Sequence, residues 1–268
     1  MKKIYTIFGI IVILVIIFYF YNTFVKKETP PVDTSPVATT TVQNTVQEQI
    51  PVQVTPISHA TAVLKWDDMT IVTDPTGTST ALLNQTPNII LITDIHGDHL
   101  STSTLASLKG TATIIAPKAV ADLLPTTLSS RTKVLANSSS ITEQGFTITA
   151  VPMYNTPEAT DSRHTKGRGN GYIIEKNGFR VYVAGDTDGT SEMKALTDID
   201  IAFIPMNPPF TMDVEEAAEA VLAFKPQQVY PYHYRGQNGL SDVNKFKQLV
   251  DAGNQDIEVM LVNWYPTQ

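Results

Sequence analysis

The hydrophobic pattern of the chain begins with a long uncharged segment. No charged residue occurs between Ile4 and Val25, where Ile, Val, Phe and Tyr dominate. As a helix, this segment would measure roughly 33 Å at about 1.5 Å per residue, which is enough to cross the apolar core of a bilayer. A cleaved signal peptide has a shorter apolar region that ends at small residues, whereas this one ends in Phe24-Val25-Lys26-Lys27. The pattern therefore predicts an uncleaved transmembrane anchor within residues 1–27.

A stretch without periodicity follows the predicted anchor. Residues 28–56 are rich in Pro, Thr, Val and Gln, and they carry little charge. This composition is typical of an extended, disordered tether. Such tethers resemble the spacers that hold domains off the outer face of a bacterial membrane, and the flanking lysines slightly favour a cytoplasmic N-terminus. We therefore predict a single-pass membrane protein whose domain, residues 57–268, is extracytoplasmic.

From Ile57 onward, short apolar strands alternate with segments of helical period, a pattern that predicts one layered α/β domain. Lys176-Asn177-Gly178 is typical of a hairpin turn, and Asp213 with Glu216 is typical of a helix-capping box. The predicted strands cover Ala62–Trp66, Met69–Thr73, Asn88–Thr93, Thr113–Ile115, Lys133–Leu135, Phe146–Val151, Tyr172–Glu175, Phe179–Ala184, Ile201–Ile204, Gln228–Tyr232 and Ile257–Val262. The predicted helices cover Ser101–Leu108, Ala119–Leu124, Ala217–Phe224 and Asp242–Val250.

Composition narrows the classes of function. The formal net charge of −7 disfavours nucleic acid as a partner, because phosphate binding needs a surface rich in Lys and Arg. The chain has no cysteine, which excludes disulfides, thiolate metal ligands and cysteine nucleophiles. A small-molecule substrate remains as the expected partner. The oligomeric state is left open.

The strongest chemical signal is the loop Asp94-Ile95-His96-Gly97-Asp98-His99, which follows the continuous apolar residues Ile89–Ile92. Alternate residues of an extended segment share a face, so Asp94, His96 and Asp98 can point the same way. Imidazole and carboxylate groups together suit Zn²⁺, and also Mn²⁺, Fe or Ni²⁺. The alternative is a polar loop with capping aspartates and surface histidines. Two His and two Asp at this spacing favour a metal site.

This loop resembles the H-x-H-x-D-H signature of the metallo-β-lactamase superfamily, and the resemblance extends over about residues 57–268. Further segments match the family pattern in the expected order: Thr73-Asp74-Pro75, His164, Gly185-Asp186-Thr187-Asp188 and Pro231-Tyr232-His233-Tyr234. The resemblance implies a four-layer αββα sandwich. Other segments resemble the branch that includes the L-ascorbate-6-phosphate lactonase-like proteins: Ser58-His59-Ala60, Tyr154-Asn155, Gly169-Asn170-Gly171-Tyr172, Ala184–Asp188 and Thr211-Met212.

The resemblance also implies a ligand set and an activity. Metal 1 would be bound by Asp94, His96 and His164. Metal 2 would be bound by Asp98, His99 and His233, and Asp186 would bridge the two. Asp98 and Asp186 are the predicted catalytic carboxylates. The implied enzyme uses a metal-bound hydroxide to cleave an ester, lactone, amide or phosphodiester bond, with one or two divalent cations. Zinc is favoured and manganese is the alternative.

One residue departs from the family pattern, because Asp94 stands where the family has its first His. A carboxylate can still ligate zinc at about 2.0–2.2 Å, but it is shorter and charged. Three outcomes stay open: a two-metal site, a site with one firmly held metal, or a degenerate site. The last would make the chain a non-catalytic metal- or ligand-binding surface protein. An RNA-processing nuclease of the same superfamily is a weaker alternative, because the chain is acidic and lacks room for an extra domain.

Several residues near these motifs are candidates for supporting roles. Asp74, His59 and Asp188 are predicted to orient ligands, although each has a simpler interpretation as a turn residue, a structural histidine or a cap before Ser191–Leu196. Arg163, Lys166 and Tyr234 are predicted to contact substrate, because they flank His164 and His233 and because Arg favours bidentate anion contacts. Arg168 lies near His164 in sequence and belongs with Arg163 and Lys166; the alternative for these three is a solvated basic loop. Arg235 follows His233 and is, like Tyr234, a candidate for contact with substrate.

Overall fold

The computed structural model describes residues 50–266 of the chain. The predicted anchor and the first part of the predicted tether, residues 1–49, lie outside the described residues. Within residues 50–266, no helix combines the length and the apolar character that crossing a membrane requires.

Two β-sheets form the framework of the described residues. In the first, six strands lie side by side in chain order. Its first three strands are antiparallel, and the third to sixth are parallel. These strands are β1 (Val52–Ser58), β2 (Thr61–Trp66), β3 (Met69–Thr73), β4 (Ile89–Leu91), β5 (Thr113–Ala116) and β6 (Thr132–Val134).

The second sheet has seven strands in the spatial order β15-β12-β11-β10-β9-β8-β7. They are β7 (Ser140–Glu143), β8 (Phe146–Met153), β9 (Gly169–Lys176), β10 (Phe179–Val183), β11 (Ile201–Pro205), β12 (Gln228–Tyr232) and β15 (Glu258–Val259). Strands β10, β11, β12 and β15 are parallel. The predicted hairpin turn joins β9 to β10, with positive φ at Asn177 and Gly178. A short separate hairpin consists of β13 (Arg235–Gly236) and β14 (Gly239–Leu240).

Seven helices occur within residues 50–266: α1 (Thr80–Leu83), α2 (Thr102–Ser107), α3 (Lys118–Ala121), α4 (Thr126–Ser129), α5 (Ser191–Lys194), α6 (Val214–Phe224) and α7 (Val243–Gly253). The predicted cap of α6 is present, because Asp213 Oδ1 accepts a hydrogen bond from the Glu216 N–H at 2.9 Å. The Glu216 carboxylate does not complete a capping box. It accepts instead from the Gly189 N–H at 2.9 Å, which ties α6 to the loop after β10.

Side-chain alternation in the first sheet creates two cores. Ile89 and Leu91 of β4 belong to a large core shared with the second sheet and with α6 and α7. Ile90 and Ile92 point to the other face, where a smaller core includes residues of α1 to α4. This two-sided burial explains why the β4 segment is continuously apolar. The mixed α/β class predicted from the sequence is confirmed.

The domain begins earlier than predicted, because β1 starts at Val52 whereas the disordered tether was expected to run to residue 56. The tether prediction is therefore wrong for residues 52–56. Pro56 within this segment suggested disorder, but β1 lies at the edge of its sheet, where a strand tolerates proline. Helices α1 and α4 and strands β7, β13 and β14 were also not predicted, since each is only two to four residues long.

Candidate metal centre

The candidate ligands lie on loops that leave neighbouring parallel strands. Asp74 follows β3, the Asp94–His99 loop follows β4, Asp186 follows β10 and His233 follows β12. The carboxyl ends of parallel strands meet at one edge of a sheet, and ligand sites form there in α/β proteins. His164 reaches the same place from the loop between β8 and β9. The structure thus brings together residues that are up to 159 positions apart in the chain.

One group of side chains consists of Asp98, His99, Asp186 and His233. His99 Nε2 lies 3.2 Å from His233 Nε2 and 3.3 Å from Asp186 Oδ1. His233 Nε2 lies 3.4 Å from both Asp186 Oδ1 and Asp98 Oδ2. Four ligands at about 2.0–2.1 Å in a tetrahedron would be separated from each other by about 3.3 Å. His99, Asp186 and His233 therefore have the mutual spacing of three ligands around one zinc ion, and Asp98 adjoins them through His233, with its Oδ1 3.9 Å from His99 Nε2.

A second group consists of Asp94, His96 and His164, and it meets the first at Asp186. His164 Nε2 lies 3.3 Å from Asp186 Oδ2 and 3.8 Å from Asp94 Oδ2. His96 Nδ1 lies 2.6 Å from Asp94 Oδ2, outside hydrogen-bond geometry. The distances within this second group are less regular than those around His99 and His233. Asp186 faces one group with each carboxylate oxygen, which is the arrangement of a bridging ligand.

Unpartnered polar atoms point into this cluster. His96 Nδ1, His164 Nε2 and Asp186 Oδ1 are buried and have no hydrogen-bond partner within residues 50–266. Leaving a buried polar atom unsatisfied costs about 1–3 kcal/mol, so three such atoms in one place require a further binding partner. Nitrogen and carboxylate oxygen at these positions are the donors that zinc and related divalent cations prefer. The residues present fit a two-cation centre.

The charges of the cluster favour cations. Burial raises the pKa of Asp98, but hydrogen bonding to His233 and the charges of His99 and His233 together outweigh it and hold this pKa well below its usual range. Burial also raises the pKa of Asp186, but the charges of His233 and His99, with hydrogen bonds to His164 and His99, together lower it well below its usual range. Burial lowers the pKa of His99, yet the carboxylates of Asp186 and Asp74 raise it well above the usual value. Asp98 and Asp186 therefore stay ionised and attract either protons on the imidazoles or metal ions.

Gly185 places the bridging carboxylate. Its φ is +68°, and an added Cβ would lie 2.4 Å from Met153 Sδ and 3.1 Å from Thr93 Cβ. Only glycine combines this backbone conformation with so close an approach. The Gly185 N–H donates to Tyr232 Oη at 2.9 Å. Asp186 is thus fixed between β4, β8 and β12.

The other ring nitrogens of two candidate ligands are held by polar side chains, of which Asp74 is buried and Asn155 half-buried. Asp74 Oδ2 lies 2.9 Å from His99 Nδ1, and Asp74 accepts from both the N–H and the hydroxyl of Thr93 at 2.7 Å. Asn155 Oδ1 lies 3.1 Å from His164 Nδ1, and Asp188 Oδ1 accepts from Asn155 Nδ2 at 3.0 Å. Such partners fix the tautomer and orientation of a ligating imidazole.

Asp94, the residue that departs from the family pattern, is engaged by an arginine. Arg168 Nε lies 3.3 Å from Asp94 Oδ1, and Arg168 Nη2 lies 3.2 Å from Oδ2. The Asp94 side chain is fully buried, whereas that of Arg168 is 22% exposed. Burial opposes ionisation of Asp94, but the close contact with the His96 imidazole and the charges of His99 and Arg168 together lower its pKa. The guanidinium of Arg168 thus balances the negative charge that Asp94 adds to the site.

A cavity of about 150 Å³ opens onto both groups. Its walls include His59, whose Nδ1 lies 2.8 Å from Tyr265 Oη and whose ring centroid lies 4.4 Å from that of His233. Burial, followed by the charge of His233, lowers the pKa of His59 to about 4. Asp98 also lines the cavity and is 38% exposed. It is the most accessible carboxylate among the candidate ligands.

The sequence matches the family described as the Beta-lactamase superfamily domain over residues 53–233. This range ends on the last candidate ligand. The chain belongs to the metallo-β-lactamase superfamily.

Named members and solved structures agree with this assignment. A UPF0173 metal-dependent hydrolase of Thermococcus onnurineus is 33% identical over 168 residues, which are 61% of this chain and 74% of that protein. A crystal structure of a protein named as a metal-dependent hydrolase from Parabacteroides distasonis is 38% identical, has a TM-score of 0.69 and covers 78% of this chain and 91% of its own. Igni18, a metallo hydrolase of Ignicoccus hospitalis, is 25% identical with a TM-score of 0.67, covering 79% and 95%.

The fold brings most of the predicted site residues to the metal centre. All seven predicted ligands lie in the cluster, with Asp74 behind it, His59 beside it and Asp188 behind Asn155. The predicted substrate contact Arg163 lines the cavity.

Two predicted substrate contacts lie elsewhere. Lys166 Nζ is engaged by Glu158 and Glu192 at 3.2 Å and 2.8 Å. Tyr234 is buried, and its hydroxyl accepts from the Trp264 N–H at 3.3 Å. Neither side chain lines the cavity of about 150 Å³, whereas Lys166 lines a separate cavity of about 540 Å³ together with His164. Tyr234 is adjacent to His233 in sequence, but its side chain lies elsewhere, because adjacent residues of an extended segment point in opposite directions.

The roles of Thr93, Asn155 and Tyr265 were missed, as was the pairing of Arg168 with Asp94. Thr93 and Asn155 had a usable signal, since both are polar residues just beyond the end of a buried strand. Tyr265 and Arg168 had none, because their partners lie 206 and 74 positions away.

Proposed function

We propose that this chain is a metal-dependent hydrolase that binds two divalent cations, zinc being favoured, and cleaves an ester, lactone, amide or phosphodiester bond of a small molecule. The observation that carries the proposal is the junction of two ligand groups on one carboxylate, Asp186. The regular spacing around His99 and His233 supports a firmly held cation there. The irregular spacing around Asp94 supports a weaker second site.

The protein groups have separable tasks in this proposal. When bound, the two cations would lower the pKa of a shared water and polarise the carbonyl or phosphoryl group. His99 and His164 are held in fixed orientations by Asp74 and Asn155, so the cluster needs little rearrangement. Asp98 lines the cavity and is 38% exposed, so its carboxylate is placed to accept a proton from the attacking water and to release it towards the leaving group. No Ser or Cys nucleophile is required.

Metal content tests the ligand assignment. We expect the full chain to hold up to two equivalents of zinc by elemental analysis, and His96→Ala with His99→Ala to remove both. His164→Ala should remove only the more weakly held equivalent, whereas His233→Ala should remove the tighter one. Lys247→Ala with Asp251→Ala, a surface pair on α7, is the matched control and should keep the wild-type metal content. Unchanged metal content in the double histidine variant would refute the site.

A substrate panel tests catalysis. The metal-loaded chain should be assayed with zinc and with manganese against a lactone, a carboxylic ester, a phosphodiester and a β-lactam. The lactone belongs in the panel because the Tyr154-Asn155 and Gly169–Tyr172 segments resemble the lactonase-like branch. Turnover that disappears in Asp98→Asn, with metal retained, would support the proposed role of this carboxylate.

Asp94 favours a second candidate function, a metal- or ligand-binding protein without turnover. Both oxygens of this carboxylate are already engaged by Arg168, which reduces what the Asp94 group can offer a cation. Sustained inactivity across the panel at full metal occupancy would favour this binding role over hydrolysis.

We propose further that the hydrolase domain is tethered to the outer face of a membrane. The uncharged segment Ile4–Val25, followed by a Pro/Thr-rich stretch, supports this arrangement.

A further inference from the structure

Two arginine side chains lie at the candidate metal centre without a carboxylate partner. Arg163 and Arg235 both line the cavity that exposes His96, Asp98 and Asp186. Within residues 50–266, neither guanidinium forms an ion pair, whereas Arg168 is paired with Asp94. Cations next to a centre that binds cations repel it, so their presence there requires a compensating negative charge.

Each of these guanidinium groups is stacked on an aromatic ring. Arg163 Cζ lies 4.4 Å from the centre of the Phe210 ring, and Arg235 Cζ lies 4.2 Å from that of Tyr265. Stacking restrains the plane of a guanidinium and leaves its in-plane N–H groups available. Those groups match the two oxygens of a carboxylate or phosphate. The Tyr265 ring is itself fixed through His59.

Arg235 also carries an unsatisfied donor. Its Nε is buried and has no hydrogen-bond partner within the described residues. Asn207 adds a further polar group to the same cavity, and its Oδ1 accepts from the Thr211 hydroxyl at 2.5 Å, which leaves the amide NH₂ for a ligand. Donors thus line a cavity whose acceptor groups are the candidate metal ligands.

The two arginines come from the two chain segments that carry His164 and His233. Arg163 immediately precedes His164 of one ligand group, and Arg235 follows His233 of the other by two residues. Arg235 and Tyr265 also border a neighbouring cleft of about 420 Å³, lined by Ser58 and by residues 76–79. A ligand held by both arginines would occupy the cavity that Asp186 also lines, and its polar remainder could extend into this cleft.

We infer that Arg163 and Arg235 bind a negatively charged group of the substrate, a carboxylate or a phosphate, next to the bond that is cleaved. The inference rests on the proposed hydrolase function and narrows it: the substrate is a small anionic ester, lactone or phosphoester. The two arginines determine specificity, while the metal centre supplies the reactivity.

A matched pair of esters tests this selectivity. The metal-loaded full chain is assayed with p-nitrophenyl acetate, which is neutral, and with the mono-p-nitrophenyl ester of glutaric acid, which carries a carboxylate and has the same leaving group. We expect kcat/KM to be higher for the anionic ester. Arg163→Gln and Arg235→Gln should each lower the anionic-to-neutral ratio of kcat/KM by about tenfold, chiefly through KM, because each removes a charge-assisted contact.

Three further variants sharpen the result. Arg163→Lys and Arg235→Lys keep the charge but lose the planar fork, so they should restore only part of the ratio. Arg180→Gln removes an arginine that pairs with Glu175 at the far end of β10, and it should leave the ratio at the wild-type value. Ratios in both Gln variants equal to that of the wild type would overturn the inference.

Binding of inorganic phosphate separates this inference from the proposed function. If neither ester is hydrolysed, calorimetric titration of phosphate into the metal-loaded chain still measures how much each arginine contributes to anion binding. Binding about tenfold weaker in each Gln variant, with unchanged metal content and thermal unfolding, would support the anion site even though hydrolysis had failed. Phosphate binding that is the same in wild type and variants would refute it.

Discussion

At the scale of the residue, Asp94 shows what a single departure from a family pattern means physically. The fold retains every other ligand position and adds Arg168, whose guanidinium meets the new carboxylate. The sequence showed the departure but not its partner, because a pairing across 74 positions leaves no local trace. The metal-binding loop itself was predictable, because its two His and two Asp follow a buried strand within six residues.

Replacing Arg168 tests the balance of charge around Asp94. Arg168→Met leaves a buried carboxylate without its cation, so the metal-free protein should lose about 2–3 kcal/mol of unfolding free energy, somewhat less than for a fully buried pair. Added zinc should then raise the melting temperature of the variant more than that of the wild type, since the metal no longer competes with a guanidinium. Differential scanning calorimetry with and without zinc measures both effects.

Lys133→Met provides the comparison for Arg168, because Lys133 forms a more exposed ion pair with Glu143. Exposed pairs contribute at most about 1 kcal/mol, and zinc should stabilise this variant as it does the wild type. If zinc raised the melting temperatures of Arg168→Met and of the wild type equally, Asp94 would have no part in metal binding.

At the scale of the element, the loop after β10 depends on a glycine. Gly185→Ala would introduce a Cβ at positive φ and 2.4 Å from Met153 Sδ, which should displace Asp186. We expect a loss of about 1–3 kcal/mol in stability and a clear drop in zinc content. Gly178→Ala is the matched control: its φ is +83° but no atom lies within 4 Å of the added Cβ. It should lose stability while keeping its zinc, so equal zinc loss in both variants would contradict the role of Gly185.

Helix α5 and the loop that carries His164 are joined by Glu192. Its carboxylate lies 2.8 Å from Lys166 Nζ and 2.9 Å from Tyr154 Oη. Burial raises the pKa of Glu192, but hydrogen bonds to Lys166, Tyr154 and Ser191 and to its own backbone together outweigh burial and lower the pKa from 4.5 to about 2. A depressed pKa in the folded state stabilises the protein above the unfolded value and is lost as pH falls towards the folded one.

The melting temperature of Glu192→Gln should therefore lie below that of the wild type by a constant amount above about pH 5. The difference should shrink as the pH falls from 4.5 towards 2, which thermal unfolding followed by circular dichroism can measure. Glu219→Gln is the control, since this glutamate pairs with Lys194 on the exposed side of α6. A difference for Glu192→Gln that stayed constant down to pH 2 would show that the ionised Glu192 carboxylate does not join these elements.

Most strands were predictable as short continuous apolar runs, because both faces of their sheets are buried, and the longer helices were predictable from a period of 3.6 residues. Prediction failed where period and length gave too little signal. Strand β1 contains Pro56 and is fully buried only at Val52 and Ile57, so its alternation is weak. The positive φ at His59, Asp74 and His233 was equally invisible in sequence, although all three residues lie at the metal centre. Such backbone strain persists where the surrounding structure imposes it.

At the scale of the whole molecule, the predicted anchor decides where the proposed enzyme meets its substrate. We expect the full chain to fractionate with membranes through residues 1–27. Protease added to intact cells, after any outer envelope has been permeabilised, should then digest the domain that begins at residue 50. A chain lacking residues 1–27 should leave the membrane fraction, because the segment that is predicted to cross the bilayer has been removed. A domain that stays protected from protease under these conditions would place it on the cytoplasmic side and reverse the proposed topology.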